Sequence, residues 1–403
     1  MSAKIEFIPE GTVTSAKGFT AGAVFAGINV NTRHNLDLGI LFSEAPCATA
    51  GLFTSNKMKA SSVVLCQEIL PSKTVRALVV NSGCANAGIG DQGLCDAFAV
   101  ATSAADRVNV PLREVLVAST GVIGTRLPLE FIKAGVKKIT LSTDGGHSLA
   151  RAILTTDTVA KEVAIRAGGG EFIIGGIAKG SGMVHPQLGT LLCFMTTDAK
   201  VDIDFLVLAL QKAVDISFNM ASIDGDTSPN DTVLIMANGL AGNEVIRQKT
   251  SQADNFQQAL NHVCIHLAKA IARDAEGASK LIEVTVSGAA SITDARSTAR
   301  TVISSSLVKA AVHGSDPNWG RIIAAAGRSG AELVESKIDL YIGGVCLIKG
   351  GSLLPFDKKR VVRTLTDSEV SIDLDLNLGK AKATAWGCDL SEEYVTINSQ
   401  YTT

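Results

Sequence analysis

Short apolar runs of strand length alternate irregularly with helical patterns along the whole chain, and this alternation constrains the fold more than any other feature. The strand-like runs include 76–83, 114–120, 171–178 and 190–197. Each is rich in β-branched or apolar residues and borders a glycine-containing turn, as expected of buried strands. These runs predict a sheet of short strands.

Helical patterns separate the strand-like runs at 91–108, 203–219, 255–277 and 297–312. In the first of them the spacing places five apolar residues on one face: Leu94, Ala97, Phe98, Ala101 and Ala105. The predicted fold class is therefore mixed α+β, and the region near Thr190 divides the chain into two comparable halves.

The C-terminal third predicts further strands. Residues 337–348 have the pattern of a hairpin that turns at Gly343-Gly344. Residues 369–387 alternate between apolar and polar side chains, which is typical of strands with one buried face. The turn in this stretch is predicted near 377–380.

Composition excludes several functional classes. The chain has 403 residues, of which 46% are hydrophobic and 4% aromatic, with 38 glycines and a net charge of -2. Without a basic stripe, no nucleic-acid partner is predicted. No signal peptide and no membrane-spanning apolar run are recognised, so we expect no membrane partner and a cytoplasmic location. The eight cysteines form no CxxC pair, which favours reduced thiols over a metal site.

Three local motifs have ordinary structural interpretations. The GxGxxG match at 88–93 lies seven residues after its strand, which favours a loop before a helix capped at Asp91 over a dinucleotide site. His262 and His266 have i, i+4 spacing but lack the glutamate of a metalloprotease helix. Asp274 and Glu276 suit an exposed helix end and a functional site equally well.

The junction Gly189-Thr190 has a chemical interpretation beside the ordinary one of a turn entering a core strand. A threonine hydroxyl is a weak nucleophile that needs a base. If the chain is cut before Thr190, the new α-amino group, with an ordinary pKa near 7.7 to 8.0, can be that base. The hydroxyl can make this cut itself by attacking the Gly189 carbonyl.

Several motifs, taken together and in order, resemble the ornithine acetyltransferase family, the glutamate N-acetyltransferases of arginine biosynthesis. The similarity runs from about residue 10 to the last residue. The matching blocks are "NSGCANA" (81–87), "ASTGVIG" (118–124), "ILTTDTVAKE" (153–162), "AKGSGMVHPQLGTLL" (178–192), "SFNMASIDGDTSPNDT" (217–232), "RDAEGASKLIEV" (273–284), "HGSDPNWGRI" (313–322) and "WGCDLSEEYVTINSQYTT" (386–403).

The resemblance implies a precursor that cuts itself between Gly189 and Thr190. It implies an α chain, 1–189, and a β chain, 190–403, that stay together as an α2β2 assembly. The implied fold is an αββα-type sandwich of the kind found in self-cleaving aminopeptidases and ornithine acetyltransferases.

The resemblance also implies roles for individual residues. Thr190 matches the nucleophile, and the Thr120 hydroxyl and the Gly121 N–H match the oxyanion hole, where one donor typically lowers the barrier by roughly 3 kcal/mol. The implied substrate-binding residues are Thr156, Lys179, Thr190, Glu276, Asn398 and Thr403. Lys179 suits a substrate carboxylate, and Glu276 is expected to face its amino end.

The implied reaction moves an acetyl group from N2-acetylornithine to glutamate through an acetyl-threonine ester. It needs no metal and no organic cofactor. Acetyl-CoA as a further donor is left open by the sequence.

Two positions depart from the family pattern. Gly189 stands where alanine is common, and its missing Cβ restrains the scissile bond less, which bears on the rate or completeness of self-cleavage. Cys84 stands where asparagine is usual, and a thiol is a weaker hydrogen-bond donor than an amide.

Two alternative functions remain open from the sequence. The same fold can serve an amidohydrolase or aminopeptidase in which water replaces glutamate as the acceptor; Lys179 and Glu276 favour an amino-acid acceptor. The other alternative is a metabolite-binding relative that never cleaves, which the intact set of matched residues disfavours.

Overall fold

The computed structural model describes residues 5–29, 36–185 and 191–400. The strands are β1 (Glu6–Phe7), β2 (Phe19–Val24), β3 (Leu38–Phe53), β4 (Ser72–Asn81), β5 (Val115–Ser119), β6 (Lys161–Ala167), β7 (Phe172–Lys179), β8 (Leu192–Thr197), β9 (Ala221–Ser222), β10 (Thr232–Ala237), β11 (Leu281–Ala289), β12 (Asp339–Ile342), β13 (Val345–Lys349), β14 (Ser352–Leu353), β15 (Glu369–Asp375) and β16 (Ala381–Cys388). The α-helices are α1 (Ser61–Ile69), α2 (Asp91–Val108), α3 (Leu129–Lys138), α4 (Gly146–Ala152), α5 (Ile203–Asp215), α6 (Ser251–Arg273), α7 (Ile292–Ile303), α8 (Ser306–His313), α9 (Trp319–Gly327), α10 (Lys358–Leu365) and α11 (Glu392–Gln400).

The long strand β3 joins two β layers. Its first part, from Leu38, pairs with β2 and β4, and its last part, Ala48–Phe53, pairs with β10. The β3–β4 ladder loses its regular register between Phe42 and Thr49, where the strand passes from one layer to the other. One layer therefore holds β2, β4 and β5, and the other continues from β10 through β8, β7 and β6 to β1.

The two layers face each other across one hydrophobic core. Leu78 and Leu116 from the first layer share a buried cluster with Phe194 and Leu234 from the second. Burying one such side chain contributes about 1.5–3 kcal/mol to folding. The faces of these strands that point away from this core are apolar as well, because helices cover them.

Helices cover the outer face of each layer. Helices α2 and α3 pack on β3, β4 and β5, and α5 and α6 pack on β6, β7, β8 and β10. The order of layers is helix, sheet, sheet, helix, which confirms the predicted mixed class and the αββα-type sandwich.

A second sheet follows in the order β14-β13-β12-β15-β11-β16-β9. Its apolar face packs against α7, α8, α9 and α10. The hairpin at Gly343-Gly344 forms as predicted, since both glycines have the positive φ that the turn requires, 54° and 73°.

Tertiary contacts correct several local predictions. Residues 369–387 form β15 and β16 as predicted, and β11 lies between the two strands in the sheet. The single helix predicted at 297–312 is two helices, α7 and α8, with Ser305 capping the second. Helix α6 ends at Arg273, so Glu276 lies beyond it.

The buried face of α2 differs from the prediction at Phe98. Phe98 is 39% exposed, while Ala97, Val100, Ala101 and Ala104 are buried. The side-chain cap predicted at Asp91 is absent too: the N-cap is Gly90, and Asp91 is the first helical residue.

Strands from both sides of position 190 belong to the same sheet. β7 pairs with β8, with Lys179 opposite Leu192, and β10 pairs with β3. Strands β3 and β7, which precede position 190, are therefore hydrogen-bonded to β10 and β8, which follow it. Within the described ranges, no helix is long and apolar enough to cross a bilayer.

Candidate active site

A polar cleft of about 740 Å³, its open mouth included, lies where the ends of β5 and β7 approach each other from the two β layers. Six residues that the sequence predicted for the site line this cleft: Thr120, Gly121, Thr156, Lys179, Glu276 and Asn398. The other three predicted positions, Gly189, Thr190 and Thr403, lie outside the described residues.

Thr120 and Gly121 follow the last residue of β5. The Thr120 N–H donates to the Asn81 carbonyl at 3.0 Å, which continues the β4–β5 pairing. Gly121 has φ +127°, and a Cβ there would lie 2.3 Å from the Gly83 carbonyl carbon. Only glycine fits this turn, so the residue type is dictated by backbone geometry and close packing.

Lys179 is the last residue of β7 and is only 3% exposed. Its ammonium donates to the Thr120 hydroxyl at 3.3 Å. Burial lowers the pKa of Lys179, and the nearby carboxylates, Asp157 foremost, oppose that shift. A substrate carboxylate entering the cleft would favour the charged form further.

Glu276 connects three segments of the cleft wall. Its N–H donates to the Ser181 carbonyl at 2.8 Å, and the Ser181 hydroxyl bonds that of Thr156 at 2.7 Å. Its carboxylate accepts from the Asn398 side chain at 2.8 Å. Gly182 makes room for this carboxylate, since a Cβ there would lie 2.5 Å from Glu276 Oε2.

The chain on both sides of 186–190 is held by one loop between β9 and β10. The N–H of Val184 donates to Asp224 at 3.0 Å, and the N–H of Leu191 donates to Asp231 at 2.9 Å. Asp231 is 1% exposed, and burial raises its pKa well above the ordinary value. The loop therefore fixes where the chain leaves and re-enters the sheet.

Asn230 in the same loop holds the turn after β5. Its side-chain amide donates to the carbonyls of Ala85 at 2.6 Å and Ser119 at 2.7 Å. Cys84, in the neighbouring loop after β4, is buried, and its Sγ lies 3.3 Å from the Thr125 carbonyl. The thiol thus points at Thr125 and does not line the cleft.

Sequence reasoning missed a buried charge cluster behind the cleft, formed by Asp157, Lys161 and Asp274. The sequence was equally compatible with Asp274 at an exposed helix end and with Asp274 in a functional site. In the structure its side chain is only 8% exposed and is ion-paired with Lys161. The one available signal was the presence of these residues in the blocks 153–162 and 273–284.

The spacing of the histidines and cysteines in the sequence predicted no metal site. In the described part of the chain, no group of three or more potential ligands is placed to hold a metal ion. His262 and His266 lie on the exposed side of α6, where the His266 ring is tilted by 48° against that of Phe7, with ring centroids 5.8 Å apart.

A four-layered α/β protein with a buried lysine, two hydroxyls and a carboxylate around one small cleft belongs to the class that binds small polar molecules. The family model of the ArgJ family matches residues 20–403. The chain belongs to the ArgJ family, which confirms the resemblance found in its motifs.

Close relatives and a solved structure agree with this assignment. The chain is 51% identical over its whole length to the arginine biosynthesis bifunctional protein ArgJ of Dehalococcoides mccartyi, which is itself fully covered. It is 48% identical to that of Symbiobacterium thermophilum, covering 98% of this chain and 99% of the relative. The crystal structure of Bacillus halodurans argJ superposes with a TM-score of 0.50 at 43% identity, covering 51% of this chain and 97% of that one.

Proposed function

We propose that this protein is a glutamate N-acetyltransferase that moves an acetyl group from N2-acetylornithine to glutamate in arginine biosynthesis. The observation that carries the proposal is the contact between the Lys179 ammonium and the Thr120 hydroxyl, 3.3 Å apart in the cleft. Opposite Lys179 in the ladder is Leu192, so the strand that follows Thr190 starts at this contact.

Maturation comes first. The Thr190 hydroxyl attacks the Gly189 carbonyl, the acyl group moves from nitrogen to oxygen, and water hydrolyses the ester. This frees the α-amine of Thr190, which then acts as the base for its own hydroxyl. The loop from Asp224 to Asp231, which holds Val184 and Leu191, supports this step by fixing both flanks of the junction.

Acetyl transfer then proceeds in two halves. The Thr190 oxygen attacks the acetyl carbonyl of N2-acetylornithine, its proton passes through the α-amine to the leaving nitrogen, and the C–N bond breaks. In the second half the amine of glutamate attacks the ester and returns a proton to the threonine oxygen. In both halves the Thr120 hydroxyl and the Gly121 N–H stabilise the oxyanion.

Substrate binding follows from the charges that line the cleft. The Lys179 ammonium, with the Thr156 hydroxyl, suits the carboxylate of an α-amino acid, and burial strengthens this attraction. Glu276, with Asn398 bonded to it, suits the amino end. Ornithine and glutamate share this α-amino acid head, so one cleft serves donor and acceptor.

We further propose that the mature protein consists of chains 1–189 and 190–403 in an α2β2 assembly. The β7–β8 and β3–β10 ladders cross from one chain to the other and would hold them together after the cut. The crystallised Bacillus halodurans chain, which matches only about half of this one, supports two chains. A cytoplasmic location stays a prediction, and the word bifunctional in the relatives' names supports testing acetyl-CoA as a second donor.

The test begins with the intact mass and N-terminal sequence of the purified protein. We expect a fragment that starts Thr190-Leu191-Leu192, followed by acetyl transfer from N2-acetylornithine to glutamate. Thr190→Ala should stay uncut and inactive, whereas Thr190→Ser, which keeps a hydroxyl, should retain part of both. An uncut wild-type chain without transfer activity would favour the metabolite-binding alternative.

A further inference from the structure

The buried residue Lys161 lies behind the cleft and is not among the residues that line it. Lys161 is the first residue of β6, and its side chain is 1% exposed. Its ammonium lies 2.6 Å from an oxygen of Asp157 and 2.6 Å from an oxygen of Asp274. A charge this deeply buried is tolerated only when it is fully paired.

Each of the two carboxylates holds backbone beside the cleft. Asp157 also accepts the N–H of Gly180 at 2.8 Å, directly after Lys179. Asp274 accepts the N–H of Thr158 at 3.0 Å. The ammonium of Lys161 is therefore the common point of three chain segments, although Lys161 and Asp274 are 113 residues apart.

The three segments that meet at Lys161 are the ones that carry Thr156, Lys179 and Glu276. Thr156 precedes Asp157, Lys179 precedes Gly180, and Glu276 follows Asp274 by two residues. We propose that Lys161 is a positioning residue that sets the separation of these three side chains and so the affinity of the cleft for its amino-acid substrates. This inference rests on the proposed function.

The charges of the cluster balance. Burial disfavours ionisation of Asp157, but Lys161 and Lys179 outweigh it and hold its pKa below the ordinary range. Burial likewise opposes the charge of Lys161, and Asp157 and Asp274 raise its pKa above the ordinary value. Asp157 thus interacts with both ammonium groups, and loss of Lys161 leaves Lys179 as the nearby ammonium that still acts on it.

The backbone of the oxyanion residues is held by other contacts, although the Thr120 hydroxyl also accepts from Lys179. Thr120 is fixed through Asn81 and the turn at Ser119 through Asn230, neither of which involves Lys161. A change at Lys161 should therefore act on substrate binding far more than on the chemical step. The signature is a split between KM and kcat.

The test uses the full-length protein with Lys161→Met and Asp274→Asn. The second variant keeps the Lys161–Asp157 pair and carries the test if the first fails to fold. The matched control is Asp339→Asn in the second sheet, where the carboxylate also accepts a lysine ammonium at 2.6 Å and a backbone N–H at 2.8 Å. The measurements are ornithine binding by titration calorimetry, KM for both substrates, kcat and Tm.

We expect both variants to weaken ornithine binding and raise both KM values about tenfold or more, the scale for losing a charged hydrogen bond, with kcat changed less than about threefold. The control should lower Tm with unchanged KM. Folded variants that bind ornithine as the wild type does would overturn the positioning role alone. A wild-type protein that neither binds ornithine nor transfers acetyl would overturn the proposed function and this inference with it.

Discussion

The ammonium of Lys179 and the hydroxyl of Thr120, 3.3 Å apart, join the two β layers of the sandwich at the cleft. β5 and β7 lie in opposite layers, so this contact exists only when the layers are packed together. An ammonium can only donate, so the Thr120 hydroxyl accepts from it and can give its own proton to another acceptor. This orientation suits a donor in an oxyanion hole.

The first prediction concerns that hydroxyl. Thr120→Ala should lower kcat for acetyl transfer by about 100-fold, roughly 3 kcal/mol of barrier, with a smaller change in KM. Thr120→Ser should recover most of the rate because it restores the hydroxyl. The measurement is steady-state kinetics with N2-acetylornithine and glutamate.

A suitable control for Thr120 is Thr125→Ala in the same turn, since the Thr125 hydroxyl bonds the Val122 carbonyl at 3.2 Å and does not line the cleft. It should leave kcat unchanged. Equal turnover in Thr120→Ala and the wild type would remove Thr120 from the oxyanion hole.

The second prediction separates backbone strain from crowding at two glycines. Gly121 and Gly124 both have positive φ, +127° and +81°, but a Cβ at Gly121 would meet the Gly83 backbone at 2.3 Å, whereas one at Gly124 meets nothing within 4 Å. Gly124→Ala should cost about 1 kcal/mol of stability from strain alone. Gly121→Ala should cost more and abolish transfer, because the oxyanion N–H moves.

Urea unfolding and kinetics of the two variants check this prediction. Similar stability and activity in Gly121→Ala and Gly124→Ala would mean that the turn after β5 relaxes without disturbing the cleft.

Local patterns predicted individual elements well and their pairing poorly. Helix α2 has the predicted bounds, and the Gly343-Gly344 turn forms because glycine readily adopts the positive φ that the turn requires. The alternation in 369–387 predicted β15 and β16, but not that β11, far earlier in the chain, lies between them in the sheet. Strand alternation fixes which face is buried and carries no information about the neighbour.

The buried face of α2 shows a second limit. Apolar spacing correctly selected Ala97, Ala101 and Ala105, which are buried, but it also selected Phe98, which the structure leaves 39% exposed. Close approach of a helix to a sheet favours small side chains at the contact, which a scale of hydrophobicity does not express.

The residues that line the site were predicted from sequence motifs, whereas the buried charge cluster behind them was not. Thr120, Lys179 and Glu276 came from matching blocks, and the structure places them around one cleft. Lys161 and its two carboxylates come from segments up to 113 residues apart. Separately each resembles a surface charge; only the fold brings them into a buried cluster.

The third prediction concerns stability as a function of pH. Burial raises the pKa of Asp231 well above its ordinary value near 3.8, so the folded state holds the proton more tightly than the unfolded state. The stability that protonated Asp231 contributes is fully present below about pH 4. As the pH rises further, the free energy of unfolding falls by about 1.4 kcal/mol per pH unit until the folded-state pKa is reached. Asp231→Asn cannot ionise and should become progressively more stable than the wild type above pH 4.

Asp389→Asn provides a control in which the pKa shift, and so the pH dependence of stability, has the opposite sign. Burial opposes ionisation of Asp389, but hydrogen bonds from Ser279 and His313 outweigh it and lower its pKa. The stability that ionised Asp389 contributes is present above the ordinary pKa of an aspartate and is lost as the pH falls. Asp389→Asn should therefore be less stable than the wild type at pH 7 and equally stable at low pH. Parallel wild-type and Asp231→Asn curves in urea unfolding from pH 4 to 8 would refute the assigned shift.

The fourth prediction concerns the pair formed by Glu276 and Asn398, whose carboxylate oxygen and amide nitrogen are 2.8 Å apart. Glu276→Gln removes the charge expected to face the substrate amine and should raise KM for both substrates about tenfold, the scale for one charged hydrogen bond. Asn398→Ala removes a neutral cleft residue bonded to Glu276 and should have a smaller effect, because no charge is lost. Because the two side chains touch, their effects on KM should not add: the double variant should be weaker than Glu276→Gln alone by less than the Asn398→Ala factor. Strictly multiplicative effects would show that Asn398 acts independently of Glu276, and an unchanged KM in Glu276→Gln would show that the carboxylate does not meet the substrate.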